Sequence, residues 1–146
     1  KHNHKIEGRN SRMDTLQAAV LEVKLKHLEA WTNARVEKAK KYNELLQGLP
    51  VKLPVIEDQH RHVFHVYAIQ IANRDFIKAK LEERGIATQI HYPQSLPELT
   101  PYVDRFDAGN YPHAKALGAD ELSLPIYPEL KNEQIEYIVE VLREVL

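Results

Sequence analysis

The spacing of apolar residues predicts one long helix near the start of the chain, from Met13 to about Gln47. No proline or glycine interrupts this span, and residues that favour helices dominate it. Gly48 and Pro50 then predict its end. The first half carries two adjacent apolar stripes at helical spacing, formed by Leu16, Val20, Val23 and His27 and by Leu21, Leu25, Leu28 and Trp31. A helix of about 50 Å is longer than a small domain is wide, so we expect it to contact more than this chain.

The next segments alternate between strand and helix patterns. The period-2 alternation of HVFHVYAIQI, residues 62–71, predicts a mostly buried strand. A short helix is expected from about Arg74 to a stop at Gly85, and IATQIHY, residues 86–92, predicts a second strand. The segment 93–110 is rich in turn residues and predicts a loop. This order indicates an α+β fold.

The last third of the chain predicts two helices around one strand. The first helix is expected around His113–Leu117. LSLPIYP, residues 122–128, reads as a strand that Pro125 restricts to an edge or an end. The final helix has Asn132 as its expected N-cap. Its apolar face is formed by Ile135, Ile138, Val139, Leu142 and Leu146.

Composition narrows the classes of function. The 146 residues contain no cysteine, which excludes disulfides, thiolate metal sites and cysteine nucleophiles from this chain. A formal net charge of -1 gives no attraction toward nucleic acid or an anionic membrane, so neither is an expected partner. No apolar run approaches the roughly 20 residues of a membrane span, and a cytoplasmic location is the default expectation.

Eight histidines raise the possibility of a metal site. His2 and His4, and likewise His60 and His62, have the spacing that places two side chains on one face of a strand. No carboxylate or cysteine set completes a known ligand spacing, so we expect no metal. The letters HNH at residues 2–4 are too short a match to indicate a nuclease.

Two short motifs are candidates for ligand binding. His91 and Tyr92, in IHYP, end the second strand and open a long loop, where packing and ligand contact are equally open readings. In GRNSRMD, residues 8–14, either Ser11 or Asn10 could cap the helix. The same loop also suits a phosphate, because an amide, a guanidinium at Arg12 and backbone N–H groups meet at a helix N-terminus. The local pattern alone does not decide between a helix cap and a phosphate site in this loop.

Four segments together resemble the sugar-nucleotide aminotransferases of the DegT type, which are pyridoxal-phosphate (PLP) enzymes with the aspartate-aminotransferase fold. They are GRNSRMDTLQAAVLEVKLKHLEAW, HVFHVYAI, RGIATQIHYP and LSLPIYPEL, and they span nearly the whole chain in the family's order. The first of them is the most specific.

The resemblance implies that this sequence is the C-terminal portion of such an enzyme. Residues 1–12 would form an active-site and interface loop, residues 13–47 a long interdomain helix, and residues 48–146 a small domain whose antiparallel sheet is covered by helices. The larger PLP-binding domain, with the lysine that forms the Schiff base, would lie upstream. The chain alone is therefore expected to hold no catalytic residue and to be inactive.

The resemblance also assigns roles to the two motifs. The family forms homodimers in which each subunit lends a loop to its partner's site. Asn10 would reach the cofactor phosphate of the partner subunit, and Arg12 would face the sugar nucleotide. His91 and Tyr92 would flank the substrate pocket. The implied reaction moves an amino group, expected from glutamate, to a nucleotide-linked ketosugar in polysaccharide, glycan or antibiotic-sugar biosynthesis.

Two other functions stay open at this point. A histidine in place of the upstream lysine would indicate the family's sugar dehydratases, which also use PLP. A chain that keeps the fold without the chemistry would be a non-catalytic regulatory or interaction module.

Overall fold

The computed structural model describes residues 4–146, which form five α-helices and a three-stranded antiparallel sheet. The helices are α1 (Thr15–Leu25), α2 (Leu28–Leu45), α3 (Arg74–Glu83), α4 (Pro112–Asp120) and α5 (Asn132–Val145). The strands are β1 (Val51–Lys52), β2 (Tyr67–Ile71) and β3 (Glu121–Leu124), with short 3-10 helices at Leu96–Glu98 and Ala108–Asn110. The expected α+β class is confirmed.

The prediction of one unbroken helix is wrong. A turn at Lys26 and His27 separates α1 from α2, and the helical region is about two residues shorter at each end than expected. At this turn the amide of His27 donates to the carbonyl of Lys24 at 3.0 Å, a spacing of three residues instead of four. The predicted stop is confirmed, since Gly48 follows with a positive φ of 79° that side-chain-bearing residues rarely adopt.

The N-cap of α1 is Asp14, so the caps expected at Asn10 or Ser11 are wrong. The carboxylate of Asp14 accepts from the amide of Gln17 at 2.8 Å. The side chain of Gln17 in turn accepts from the amide of Asp14 at 3.3 Å. This reciprocal capping box satisfies two donors that a helix start leaves open. Asn10 and Ser11 therefore take no part in this cap.

The strand predicted over residues 62–71 is correct only for β2. Phe64 has a positive φ of 47°, which ends any extended run through this segment. Side chains also form hydrogen bonds with the backbone groups that strand pairing would require. Arg35 Nε donates to the carbonyl of Val63 at 3.2 Å, and the amide of Phe64 donates to Nδ1 of His62 at 3.1 Å.

The strand predicted over residues 86–92 is reduced to one bridge, between Gln89 and Ser123. The amide of Ile86 donates to Leu81 in the last turn of α3, at 2.9 Å. The amide of His91 donates to the carboxylate of Glu121 at 2.6 Å. Neither end of the segment therefore pairs as a regular strand.

The remaining elements agree more closely with the pattern. α3 forms as expected, and Gly85 follows it with a φ of 76°. α4 forms and is longer than predicted, and β3 ends before Pro125 at the edge of the sheet order β1-β2-β3. The N-cap expected at Asn132 is wrong, because Lys131 holds that position and its amide donates to the side chain of Gln134 at 2.9 Å. The two-residue strand β1 is not predicted by the pattern.

The core lies where α2, α3 and α5 meet the sheet. α5 contacts both α2 and α3, and β2 contacts β1 and β3. Four of the five expected apolar positions of α5 are buried, whereas Leu146 remains 44% exposed. The buried residues with essentially no exposure are Ala39, Tyr42, Tyr67, Ile69, Leu81, Leu122, Ile135, Val141 and Leu142.

A buried arginine ties α3 to the junction between α4 and β3. Nη1 of Arg74 donates to the carbonyls of Gly118 at 3.2 Å and Glu121 at 3.1 Å. Its Nε donates to Asp75 at 2.6 Å, but the Asp75 side chain is 81% exposed. The two carbonyl contacts therefore carry most of the stabilisation, since exposed ion pairs contribute little.

Replacing Arg74 should loosen that junction. Arg74→Met should lower the free energy of unfolding by about 2 kcal/mol, because two carbonyls lose a charged donor. Asp75→Asn is the matched control and should cost less than about 1 kcal/mol. Urea unfolding of the purified variants measures both. Equal losses in the two variants would contradict this division of the stabilisation.

Two stacked tyrosines should make the fold sensitive to alkali. Tyr42 and Tyr67 stack with ring centroids 4.7 Å apart, and the hydroxyl of Tyr42 donates to the carbonyl of Pro125 at 2.9 Å. Burial raises the pKa of both phenols above their ordinary value. The folded state therefore keeps its proton where the unfolded chain loses it. This contribution to stability is complete below about pH 10 and is lost as the pH rises further.

The pH dependence of Tyr42→Phe should therefore be shallower. Between about pH 8 and about pH 11 the unchanged protein should lose about 1 kcal/mol more unfolding free energy than this variant. Tyr137→Phe is the control, because Tyr137 is 42% exposed. It should keep the full alkaline loss in urea unfolding at the two pH values. Identical losses in all three proteins would refute the role given to Tyr42.

Candidate functional site

The segment ahead of α1 presents polar donors to solvent. Residues 4–14 are exposed, and residues 7–14 have no helix, strand, turn or bend. Within residues 4–146, no hydrogen bond is described for the side chains of Asn10, Ser11 or Arg12. An ion pair between Glu7 and Arg105 connects this segment to the turn-rich segment 93–110. Both partners are about half exposed, so this pair is a weak restraint.

His91 and Tyr92 form the second group of predicted site residues. Both are exposed, and their rings meet edge to face with centroids 5.7 Å apart. The peptide bond between them is cis. They lie immediately after the bridge at Gln89 and before Pro93, at the start of the turn-rich segment. Their place at the end of an extended segment agrees with the sequence prediction, although that segment is not a full strand.

Behind His91 lies a hydrogen-bonded set of buried polar side chains. Oε2 of Glu121 accepts from the amide of His91 at 2.6 Å. Oε1 of Glu121 accepts from the hydroxyl of Ser123 at 2.5 Å. The Ser123 hydroxyl also lies 2.9 Å from Nδ1 of His91. Glu121 is 2% exposed and Ser123 is 5% exposed, so their hydrogen bonds are shielded from water. Residue 91 is thus held at two points, its backbone amide by Glu121 and its imidazole by Ser123.

Glu121 and Ser123 are not among the residues that the sequence patterns indicate. In the sequence, only the period-2 pattern of ELSL relates these two residues, because it places residues 121 and 123 on one face of a strand. The contact with His91 depends on the bridge between Gln89 and Ser123, which is tertiary and has no sequence signature. The buried Arg74 holds the backbone carbonyl of Glu121 and so fixes where this strand begins.

The turn-rich segment is built around a second serine–glutamate pair. The hydroxyl and amide of Ser95 donate to Oε2 of Glu98 at 2.7 and 3.0 Å. These hydrogen bonds lower the pKa of Glu98 below its ordinary value. Gly118 of α4 packs against this turn, and a Cβ there would meet the backbone of residues 93–95 at 3.4 Å. The segment also forms an apolar groove of about 490 Å³, lined by Leu96, Pro97, Tyr102, Phe106, Tyr111 and Ala114.

α1 exposes the apolar face that the sequence predicts. None of its residues is buried, and Leu16 is 77% exposed. A groove of about 550 Å³ runs along this face past the turn to Trp31. The large apolar residues exposed from here to the start of α2 are Leu16, Val20, Leu21, Val23, Leu25 and Leu28. A continuous apolar surface of this kind marks a site of contact with another protein surface.

The described residues offer neither a metal site nor a membrane span. Between residues 4 and 146, no three histidines, aspartates or glutamates are placed to share a metal ion. The His2–His4 pair and the HNH letters lie partly outside the described residues. Over the same range, no helix combines the length and apolar character that crossing a bilayer requires.

The profile of the DegT/DnrJ/EryC1/StrS aminotransferase family matches residues 1–143. The chain belongs to this family. The resemblance stated from the motifs is therefore confirmed over nearly the whole sequence.

Individual family members carry two kinds of name. A pleiotropic regulatory protein of Geobacillus stearothermophilus is 42% identical over 99% of this chain and 40% of its own length. The UDP-N-acetyl-3-dehydro-alpha-D-glucosamine 3-aminotransferase of Acidithiobacillus ferrooxidans is 38% identical over 99% of this chain and 39% of its own length. The chain thus spans about two fifths of these curated relatives, in keeping with the C-terminal portion that the motifs indicate.

Solved structures give the same relationship. Streptomyces venezuelae DesV, crystallised with a ketimine intermediate, aligns with a TM-score of 0.86 at 36% identity, over 99% of this chain and 39% of that chain. A putative sugar aminotransferase of Streptococcus pneumoniae in its PLP form aligns with a TM-score of 0.79 at 27% identity, over 92% of this chain and 37% of that chain. The fold is that of the fold-type I aminotransferases, and PLP is the cofactor of family aminotransferases.

Proposed function

We propose that this chain is the C-terminal portion of a PLP-dependent aminotransferase that transfers an amino group, from glutamate, to a nucleotide-linked ketosugar. The observation that carries the proposal is the 38% identity to a nucleotide-sugar aminotransferase over 99% of the chain. The product would enter polysaccharide, glycan or antibiotic-sugar biosynthesis. The complete enzyme would be a cytoplasmic homodimer, and this portion alone would be inactive.

The donors of the N-terminal segment fit the phosphate of the cofactor. The amide of Asn10 and the guanidinium of Arg12 are exposed and have no hydrogen-bond partner described within residues 4–146. Because α1 is capped by Asp14, these groups are not needed to complete the helix. When bound, PLP supplies the electron sink and the carrier for the amino group. Asn10 would hold the phosphate of the cofactor in the partner subunit, and Arg12 would bind the phosphates of the sugar nucleotide.

The division of roles follows the position of each group. His91 and Tyr92 are exposed at the start of the turn-rich segment, where they would border the sugar-nucleotide pocket. The apolar face of α1 would pack on the large domain, which would lie upstream of this sequence, and residues 1–12 would form the active-site and interface loop. The interdomain helix would then be the region 13–47, and residues 48–146 the small domain. The large domain would bind most of the cofactor.

A direct assay tests the reaction. The complete protein should convert glutamate to 2-oxoglutarate only when a nucleotide-linked ketosugar is present, and it should show the visible absorbance of bound PLP. A folded dimer that binds no PLP and releases no 2-oxoglutarate would contradict the proposal. That result would instead support a regulatory role, which the name of the Geobacillus stearothermophilus relative motivates.

A substitution in the loop tests the role of Asn10. In the complete protein, Asn10→Ala should weaken PLP binding about tenfold to a hundredfold, because a hydrogen bond to a charged phosphate is lost. Ser11→Ala changes the neighbouring residue and should leave affinity unchanged. The dissociation constant is measured by adding PLP back to the apoprotein and following its absorbance. Equal affinities for the two variants would remove Asn10 from the site.

A further inference from the structure

The hydrogen bonds behind His91 determine which of its ring nitrogens carries the proton. The Ser123 hydroxyl donates its single proton to Oε1 of Glu121, at 2.5 Å. That hydroxyl then has only lone pairs left for Nδ1 of His91, at 2.9 Å. Nδ1 must therefore be the N–H donor.

The second oxygen of Glu121 makes this arrangement difficult to reverse. Oε2 accepts from the backbone amide of His91 at 2.6 Å, and a backbone amide is always a donor. Both carboxylate oxygens thus face fixed donors, one from residue 91 and one from Ser123. Burial of Glu121 and Ser123 keeps water from competing for these positions. The direction of every hydrogen bond in the set follows from the carboxylate.

We propose that Glu121 and Ser123 are positioning residues that hold neutral His91 as its Nδ1–H tautomer, so that Nε2 is a hydrogen-bond acceptor for a hydroxyl or amino group of the sugar. Within residues 4–146, no hydrogen bond is described for Nε2, and His91 is exposed. A lone pair on Nε2 accepts from O–H or N–H groups, whereas ionised phosphate oxygens have no proton to offer. The hydroxyl and amino groups of the sugar are such donors, as are the ribose hydroxyls and the base N–H groups, whereas the phosphates are not; the place of His91 beside the proposed sugar pocket assigns it to the sugar. This assignment rests on the proposed function for the identity of the ligand, but the tautomer does not.

The tautomer can be measured without any assay of activity. The complete protein, labelled with ¹⁵N in its histidine rings, should show for His91 a protonated Nδ1 and an unprotonated Nε2 at neutral to mildly alkaline pH. The resonance is assigned by its absence in His91→Asn. Finding the proton on Nε2 would overturn the inference directly.

Glu121→Gln should reverse the tautomer with almost no change in shape. The amide oxygen of the new side chain must face the backbone amide of His91, so its NH₂ group faces Ser123. The Ser123 hydroxyl would then accept from that NH₂ group and donate to Nδ1 of His91. The proton of the ring would move to Nε2. Ser123→Ala is a second variant, and it should leave a mixture of the two tautomers because Nδ1 loses its partner.

A control variant and a kinetic measurement distinguish a lost orientation of His91 from a general loss of folding. Glu98→Gln changes the other serine–glutamate pair, which has no described contact with His91, and should leave the His91 signals unchanged. Glu121→Gln should raise KM for the sugar nucleotide about tenfold, and Ser123→Ala should raise it by a smaller factor of about two, while KM for glutamate stays constant. Near-ultraviolet circular dichroism confirms folding of each variant.

The outcomes distinguish this inference from the proposed function. The predicted tautomers without any amino transfer would uphold the hydrogen-bond assignment and reject the aminotransferase. Amino transfer with Nε2 protonated in the unchanged protein would reject the inference alone. Equal changes in both KM values would also reject it, because His91 would then not act on the sugar.

Discussion

The division of the long helical region into an exposed half and a buried half is the constraint on which the rest of the structure depends. α1 buries none of its residues, whereas α2 buries Thr32, Ala39 and Tyr42. A helix gains most of its stability from packing its apolar face, so α1 needs a surface beyond residues 4–146. Residues 4–14 precede α1 directly, so they lie at the end of the helical region whose residues are all unburied.

The N-cap at Asp14 matters for the proposed site as well as for the start of α1. The capping box closes the start of α1 with Asp14 and Gln17 alone. The side chains of Asn10 and Arg12 are then available to a ligand, which joins the structural reading of the loop to its proposed function. Asp14 and Gln17 form the cap, and Asn10 and Arg12, the phosphate donors proposed above, lie just before it.

Away from α1, a set of buried hydrogen bonds extends from α3 to the exposed side chain of His91. Arg74 on α3 holds the carbonyl of Glu121, Glu121 orients Ser123, and both contact His91. These contacts join α3, β3 and the segment at His91. Buried polar groups of this kind are costly unless every partner is in place, so the set fixes one arrangement of the exposed imidazole.

Local signals predicted those elements whose limits are set by nearby residues. α3, α4 and α5 form near their expected positions, and Gly48 and Gly85 adopt the positive φ that ends a helix. The predictions failed where tertiary hydrogen bonds replace regular pairing, as at Val63 and His91. Physical rules named Asn10, Arg12, His91 and Tyr92 only as open candidates, and the resemblance to a family assigned their roles. Glu121 and Ser123 were missed because their meaning depends on a contact across 30 or more residues.

The central claim, that one subunit's loop completes the site of its partner, can be tested by mixing two inactive variants of the complete protein. One carries Asn10→Ala and Arg12→Ala, and the other lacks the cofactor-binding lysine proposed to lie upstream. After denaturation and joint refolding, half of the dimers should contain one of each, and each such dimer should have one intact site. The account predicts a return to about a quarter of the unchanged activity. Activity no higher than that of either variant alone would contradict it.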